Sequence, residues 1–379
     1  MRIGASSLNK RLRSKRCIIT LSLQILLVCS FLTLHLFFFS KKSEQHQSIK
    51  KGNPLLKQLC PLLKEEDEGK EPKQSSHLDI DTSHFPWIQR GPNITLPQEN
   101  TMSKLLQRRN GFSARNVDLF PHLPAHHMVI VLYVHNRPSY LRVAIEGLSK
   151  VIGISESLLI VSHDGFFEEM NAIIESIRFC RVKQIFAPFS PHIFADSFPG
   201  ISPGDCQNKE DPRNCNGKPD QYGNHRAPHI VSLKHHWWWM MNTVWDGLVE
   251  TRTHHGHILF IEEDHYLLPN ALLNIQTLTA LKACKCPNCY MANLAPANVQ
   301  SRGERIPSLI ADKVGNIGYA FNRTIWRKIH SYSEHFCKFD DYNWDITMWA
   351  VVYPEWADQI YSLRGPRTSA QHFGKCGLH

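Results

Sequence analysis

Glu262, Glu263 and Asp264 stand consecutively at the end of the apolar run ILFI at 258–261. Three adjacent carboxylates repel one another unless a counter-charge is present. A hard divalent cation such as Mn²⁺ or Mg²⁺ would supply it, bridging one or two of them to substrate phosphates. A solvated acidic strand end has the same spacing. A second group is FDDYNWDIT at 339–347, three acids among aromatics that can desolvate one of them and tune it as a general base. Asp345, between Trp344 and Ile346, is the most enclosed of the three by sequence; an acidic loop with Tyr and Trp packed nearby is the alternative. In the third group, KHHWWW at 234–239, aromatic faces suit a sugar or nucleobase, and Lys234, His235 and His236 suit phosphate. Trp237, Trp238, Met241 and Trp245 recur at helical spacing and read as core, leaving the lysine and histidines at the helix start as ligand candidates. His254, His255 and His257 read as surface residues of a loop.

These groups need elements to position them. The stretches 128–136, 157–165, 182–189 and 257–265 read as strands. Leu141, Ala144, Ile145 and Leu148 keep helical spacing after the first, and Phe166, Met170, Ile173, Ile174 and Ile177 do so after the second. A further helix opens near Pro269. Strands alternating with helices predict an α/β fold with a mostly parallel sheet covered on both sides. Asn136-Arg137, Asp164 and the three acids at 262–264 all follow the apolar part of a strand, at the carboxyl edge where open α/β sheets bind ligands. Neither a G-x-G-x-x-G nor a P-loop pattern is present, so the edge is not explained by those nucleotide signatures.

The net charge of +9 is concentrated at the N-terminus. Arg2, Lys10, Arg11, Arg13, Lys15 and Arg16 precede an apolar run at 17–39, and Lys41 and Lys42 follow it, so the remainder is close to neutral and lacks the footprint of a nucleic-acid binder. The run is long enough for a bilayer-spanning helix and lacks a small-residue cleavage site, so it reads as an uncleaved signal anchor. The basic excess before it predicts a cytoplasmic tail at 1–16 and a lumenal remainder. Residues 40–110, rich in Lys, Glu, Gln, Ser and Pro, read as a stem, and 111–379 as the lumenal domain. In an oxidising lumen, Cys206–Cys215 and the local Cys286–Cys289 pair are expected disulfides, with at least one of nine lumenal cysteines left over. Sequons stand at Asn93 and Asn322, the latter the more exposed to being hidden by folding.

Six segments, YVHNRPSYL (133–141), SHDG (162–165), SLKHHWWW (232–239), FIEEDHYL (260–267), KFDDYNWDIT (338–347) and QHFGKCGLH (371–379), resemble the N-acetylglucosaminyltransferase II family in that order. The resemblance spans roughly residues 125–379. It implies a GT-A glycosyltransferase fold and an inverting, Mn²⁺-dependent transfer of GlcNAc from UDP-GlcNAc to the α-1,6-arm mannose of N-glycans in β-1,2 linkage, on the lumenal side of the Golgi membrane. It also implies that Tyr133, Val134, His135, Asn136, Arg137 and Asp164 hold the nucleotide sugar and that Ser232, Leu233, Lys234, His235 and His236 complete that site. Asp264 and His372 would then bind Mn²⁺, Asp345 would be the catalytic base, and Arg302 would contact donor or acceptor. Family members continue past the segment that ends here at His379, and their extra cysteines are expected to pair with the counterparts of Cys337 and Cys376. A same-fold transferase with another acceptor and a non-catalytic glycan-binding homologue are the competing expectations.

Overall fold

A computed structural model describes residues 101–379 except 196–197, 199–203, 205, 207–209, 212, 217–227, 298–307, 340–342 and 375–379. The expected anchor and tail, the stem up to residue 100, Asn93, Arg302, Asp340, Asp341 and Cys376 lie outside the described residues. Among the described residues no helix is long and apolar enough to cross a membrane.

The strands are β1 (Val129–Val134), β2 (Leu158–His163), β3 (Arg181–Phe186), β4 (Ile258–Glu262), β5 (His265–Leu267), β6 (Cys289–Asn293), β7 (Ile310–Lys313), β8 (Tyr319–Phe321), β9 (Tyr361–Arg364) and β10 (Ala370–His372). Eight form one sheet in the order β3-β2-β1-β4-β8-β6-β9-β7, and β10 pairs with β5. The helices are α1 (Thr101–Asn110), α2 (Pro138–Ser149), α3 (Glu168–Glu175), α4 (Pro228–Asn242), α5 (Val249–Arg252), α6 (Ala271–Lys285), α7 (Arg323–Ser331), α8 (Ser333–Lys338) and α9 (Trp344–Thr347).

Strands β1 and β2 are buried along their whole length, as continuous Val, Ile and Leu runs require in a parallel sheet with both faces covered. The four strands expected from sequence form the parallel half, β3-β2-β1-β4. The sheet is mixed and mostly parallel, as expected: in the other half β6 and β9 are parallel, while β8 runs antiparallel to both β4 and β6, and β7 antiparallel to β9. These strands are only three to five residues long, too short for periodicity to stand out. From β1 the chain steps outward to β2 and β3, and β4 then lies on the opposite side of β1. The order therefore reverses between β1 and β4, the place where open α/β sheets form their ligand crevice.

One face is packed by α4 and α7. Trp237, Met240, Met241 and Trp245 meet Val131, Tyr133, Phe260 and Phe321, with Trp326 in the same cluster. The core reading of the tryptophans therefore stands. The surface reading of the histidines fails at His254, which is buried, with its ring 5.5 Å from that of His127. Cys206–Cys215 and Cys286–Cys289 are disulfides, while Cys180 and Cys337 are free thiols. Asn322 caps α7, its side chain accepting from the Ile325 N–H at 3.2 Å.

Candidate active site

In the β1–β4 register Tyr133 lies opposite Glu262, so the residues that follow each strand emerge side by side. Glu263 is fully buried, and its carboxylate accepts from the His135 backbone N–H at 2.7 Å and from the Arg137 guanidinium. Burial pushes the Glu263 carboxyl up, and His135 and Arg137 pull against that. Arg137 also reaches Asp264 Oδ2 at 3.1 Å. The middle acid is thus a brace between two strand ends.

Glu262 accepts from the Tyr133 hydroxyl at 3.0 Å. The buried Tyr319 hydroxyl acts electrostatically on Tyr133 and accepts from Trp237 Nε1 at 3.0 Å. Burial, then Asp264 and, more weakly, Asp345 push Glu262 up to about 7, against His135 and the Tyr133 hydrogen bond. Asp264 and Asp345 therefore lie within electrostatic reach of the same carboxyl.

Asp264 is 1% exposed. A second ladder brings its partner: β10 runs antiparallel to β5 with His372 opposite His265, which places His372 Nε2 3.3 Å from Asp264 Oδ2. The Phe373 N–H donates to the Asp264 carbonyl at 3.0 Å. Burial would raise the Asp264 carboxyl, but His372, His265 and Arg137 hold it at about 2. Its Oδ1 is buried without a hydrogen-bond partner. At Gly374 an added Cβ would stand 2.5 Å from Asp264 Oδ2. A buried carboxylate with one oxygen that accepts no hydrogen bond, an imidazole beside it and a glycine at its back fit a divalent cation of the Mn²⁺ type, which accepts mixed oxygen and nitrogen ligands.

His135, Asp164 and His236 form another close group, their ligand atoms within 4.8 Å of one another. His135 Nδ1 donates to Asp164 Oδ2 at 2.6 Å, and His236 Nε2 pairs with Ser162 Oγ at 2.8 Å. Burial alone would lower His135, but Asp164 carries it up to about 9, whereas burial takes His236 down to about 3. The group is thus an ion pair beside a neutral imidazole. Asp164 Oδ1, buried and unpartnered, remains an acceptor for a ligand N–H or a cation.

Asp345 lies in the first turn of α9 and lines a cavity of about 130 Å³ with Trp237, Asn316, Trp344, Trp349 and Tyr353. Its Oδ1 accepts from the Ile346 N–H at 2.9 Å. Trp344 is fixed by stacking on Trp237, centroids 4.9 Å apart and planes 3° from parallel.

A family model for N-acetylglucosaminyltransferase II matches residues 103–379. The chain belongs to the N-acetylglucosaminyltransferase II family. Its curated relatives are named alpha-1,6-mannosyl-glycoprotein 2-beta-N-acetylglucosaminyltransferase. That of Arabidopsis thaliana is 66% identical over 76% of this chain and 67% of its own length. Those of Rattus norvegicus and Homo sapiens are 36% and 35% identical over 70% of this chain, and 63% and 62% of their own lengths. The chain thus spans about two thirds of the curated relatives it matches. The galactosyltransferase LgtC aligns over 58% of this chain and 69% of its own with a TM-score of 0.32 and 14% identity, too distant to carry an argument.

Within this N-acetylglucosaminyltransferase II framework, Tyr133, His135, Arg137, Asp164, His236, Asp264 and His372 converge on the switch point, and Asp345 stands over the adjoining cavity. Val134 is buried and Asn136 exposed. The KHHWWW group begins in the second turn of α4 rather than at its start, and runs on through the third. Ser232 Oγ donates to the His229 carbonyl at 2.9 Å, Leu233 is half-buried, and the His235 ring stands 5.2 Å from Phe198. Lys234 donates to the Phe339 carbonyl at 2.8 Å with its ammonium 5.0 Å from the Phe336 ring, tying α4 to the chain that leads into Asp345. Sequence reasoning missed the bracing role of Glu263, the Tyr133–Tyr319–Trp237 cluster, and Asn316 and Trp349 in the cavity wall. Gly374 lay inside a quoted motif without its steric role being visible.

Proposed function

We propose that this chain is an inverting glycosyltransferase of GT-A fold that moves GlcNAc from UDP-GlcNAc to the 2-hydroxyl of the α-1,6-arm mannose of N-glycans, forming a β-1,2 linkage. Family membership supports the reaction. The observation that carries the mechanism is the pairing of Asp264 and His372 at 3.3 Å, beside a Glu262 carboxyl that also feels Asp345.

In this reading the acceptor sugar enters the cavity with its 2-hydroxyl toward Asp345. The Asp345 carboxylate takes the hydroxyl proton as the oxygen attacks the anomeric carbon, and the bond from that carbon to the diphosphate oxygen breaks on the opposite face, releasing UDP. The product sugar is inverted, and no covalent sugar–enzyme species is required. Asp164 Oδ1 receives a nucleobase N–H, and the His135–Asp164 pair holds that acceptor in place. Arg137 and Glu263 fix the loop that carries both. Asp264 and His372 would hold Mn²⁺, which when bound offsets the negative charge of the diphosphate. The anchor at 17–39 and the Golgi-lumenal setting belong to the same proposal, with the disulfides and sequons its expected companions.

The test is incubation of the full chain with UDP-GlcNAc, Mn²⁺ and a trimannosyl N-glycan already bearing GlcNAc on its α-1,3 arm, followed by mass spectrometry. A gain of one N-acetylhexosamine on the α-1,6 arm, lost with EDTA and in Asp345→Asn, is expected. Folded protein that gives no gain refutes the reading, and glycan binding without UDP release favours a non-catalytic glycan-binding protein.

A further inference from the structure

The aromatic residues around the Asp345 cavity differ in how fully they are engaged. Trp237 and Trp344 are stacked on each other, and Trp237 also lies against Phe336 at 5.4 Å. Tyr319 is buried and stacks on Phe260 at 5.3 Å. Tyr353 is buried and meets Trp349 at 5.0 Å with the planes 83° apart. Trp349 is half-buried, and among the described residues its other ring contact is the ammonium of exposed Lys313, 5.3 Å from the centroid. A flexible exposed lysine is a cover that a ligand can replace.

Position along the chain adds to this. α9 continues directly into a wider helical turn at Met348–Val352, so Asp345 and Trp349, four residues apart, project to the same side. Both line the same cavity. A pyranose has an apolar C–H face and a rim of hydroxyls. Packed on an aromatic ring, it keeps its hydroxyls free to be aimed at a neighbouring base, and the indole excludes water from beneath it.

We propose that Trp349 is the acceptor-side platform of this enzyme, packing the C–H face of an acceptor hexopyranose in exchange for the Lys313 ammonium and so directing the nucleophilic hydroxyl toward Asp345. This rests on the transferase reading above and adds a specificity-determining residue to it.

The experiment compares wild type, Trp349→Ala, Trp349→Leu and Trp349→Phe in acceptor KM, kcat, UDP-GlcNAc KM and the slow hydrolysis of UDP-GlcNAc without acceptor. Loss of the aromatic face in Ala and Leu raises acceptor KM by about tenfold, whereas Phe stays within about threefold of wild type. Donor KM and donor hydrolysis do not change. Should the Ala variant fail to fold, the Leu and Phe pair decides the matter. An unchanged acceptor KM in Leu, or a rise confined to donor KM, overturns the platform while leaving a transferring wild type intact. A wild type that transfers nothing sinks the transferase reading instead. In that case titration of the trimannosyl glycan alone, followed by ligand-observed NMR, decides the platform by whether binding falls in Trp349→Leu and persists in Trp349→Phe.

Discussion

Asp345 is restrained by its own backbone, since Oδ1 accepts from the Ile346 N–H at 2.9 Å. Asn at this position keeps a side-chain oxygen for that contact, and gives up the ability to take a proton together with the 3.5 Å contact that Oδ2 accepts from Asn316 Nδ2. Asp345→Asn is therefore expected to lower kcat by about 10²–10⁴ with UDP-GlcNAc KM nearly unchanged, measured by initial rates of UDP release. The His135–Asp164 pair makes a different prediction, in stability against pH. His135 is raised to about 9 in the folded protein, so the stabilisation it brings is complete below the ordinary histidine range near 6.5 and is lost as pH rises through about 9. Asp164 is lowered against the effect of its burial by His135, so its share is present above the ordinary aspartate range and lost in acid. Thermal melts from pH 6 to 9.5 should show wild type losing on the order of 1–3 kcal/mol more than Asp164→Asn over that range. Parallel curves would mean that the pair is not an ion pair. Residue types alone singled out these acids, but not their division of labour. That Glu263 braces while Asp264 faces the crevice follows from which way each side chain leaves the turn after β4, and three consecutive carboxylates read alike in a sequence.

The β5–β10 ladder is the element on which the cation-binding reading depends, because it carries His372 across 108 residues of chain to Asp264. Its three-residue strands could not be seen as strands in the sequence, and only the resemblance of the QHFG segment linked His372 to Asp264. The parallel strands were legible because each is an unbroken apolar run ending in polar residues. Those runs place Arg137, Asp164 and Asp264 on one edge from the sequence alone. The mixed half was illegible for the opposite reason: Tyr319–Phe321 is a strand through its partners β4 and β6, with no periodicity of its own to declare it. Gly374 tests the ladder directly. A methyl group there would meet Asp264 Oδ2 at 2.5 Å, so either the carboxylate or the strand end must move. Gly374→Ala is expected to weaken Mn²⁺ binding by about 10- to 100-fold, the range seen when the support of a ligand is disturbed. Isothermal titration with Mn²⁺ measures this, and a melting temperature in EDTA within a degree or two of wild type would separate it from general unfolding.

At the scale of the whole molecule, the sheet has to be closed off beyond β3, and Lys183 does this from within the strand. It is 3% exposed, and its ammonium donates to the carbonyl of Asn110 at 2.9 Å and to that of Phe112, and lies 3.3 Å from Glu250 Oε1. One buried cation thus joins β3, the end of α1 and α5. The Asn110 side chain repeats the connection, accepting from the Phe186 N–H at 2.7 Å and donating to its carbonyl at 2.8 Å. Helix α1, in a segment whose composition reads as stem, is therefore held on the sheet by polar contacts that hydropathy does not register. Lys183→Met keeps much of the side-chain volume but leaves two carbonyls and a carboxylate without their donor. It is expected to cost about 2–4 kcal/mol and lower the melting temperature by roughly 5–10 °C. These contacts stand apart from the carboxyl ends of β1 and β4, so kcat and both KM values at 25 °C should match wild type. A Lys183→Met protein as heat-stable as wild type would show that buried Leu106 and the Asn110–Phe186 hydrogen bonds hold α1 without Lys183, and a fall in kcat without a fall in stability would show that the β3 edge communicates with the crevice.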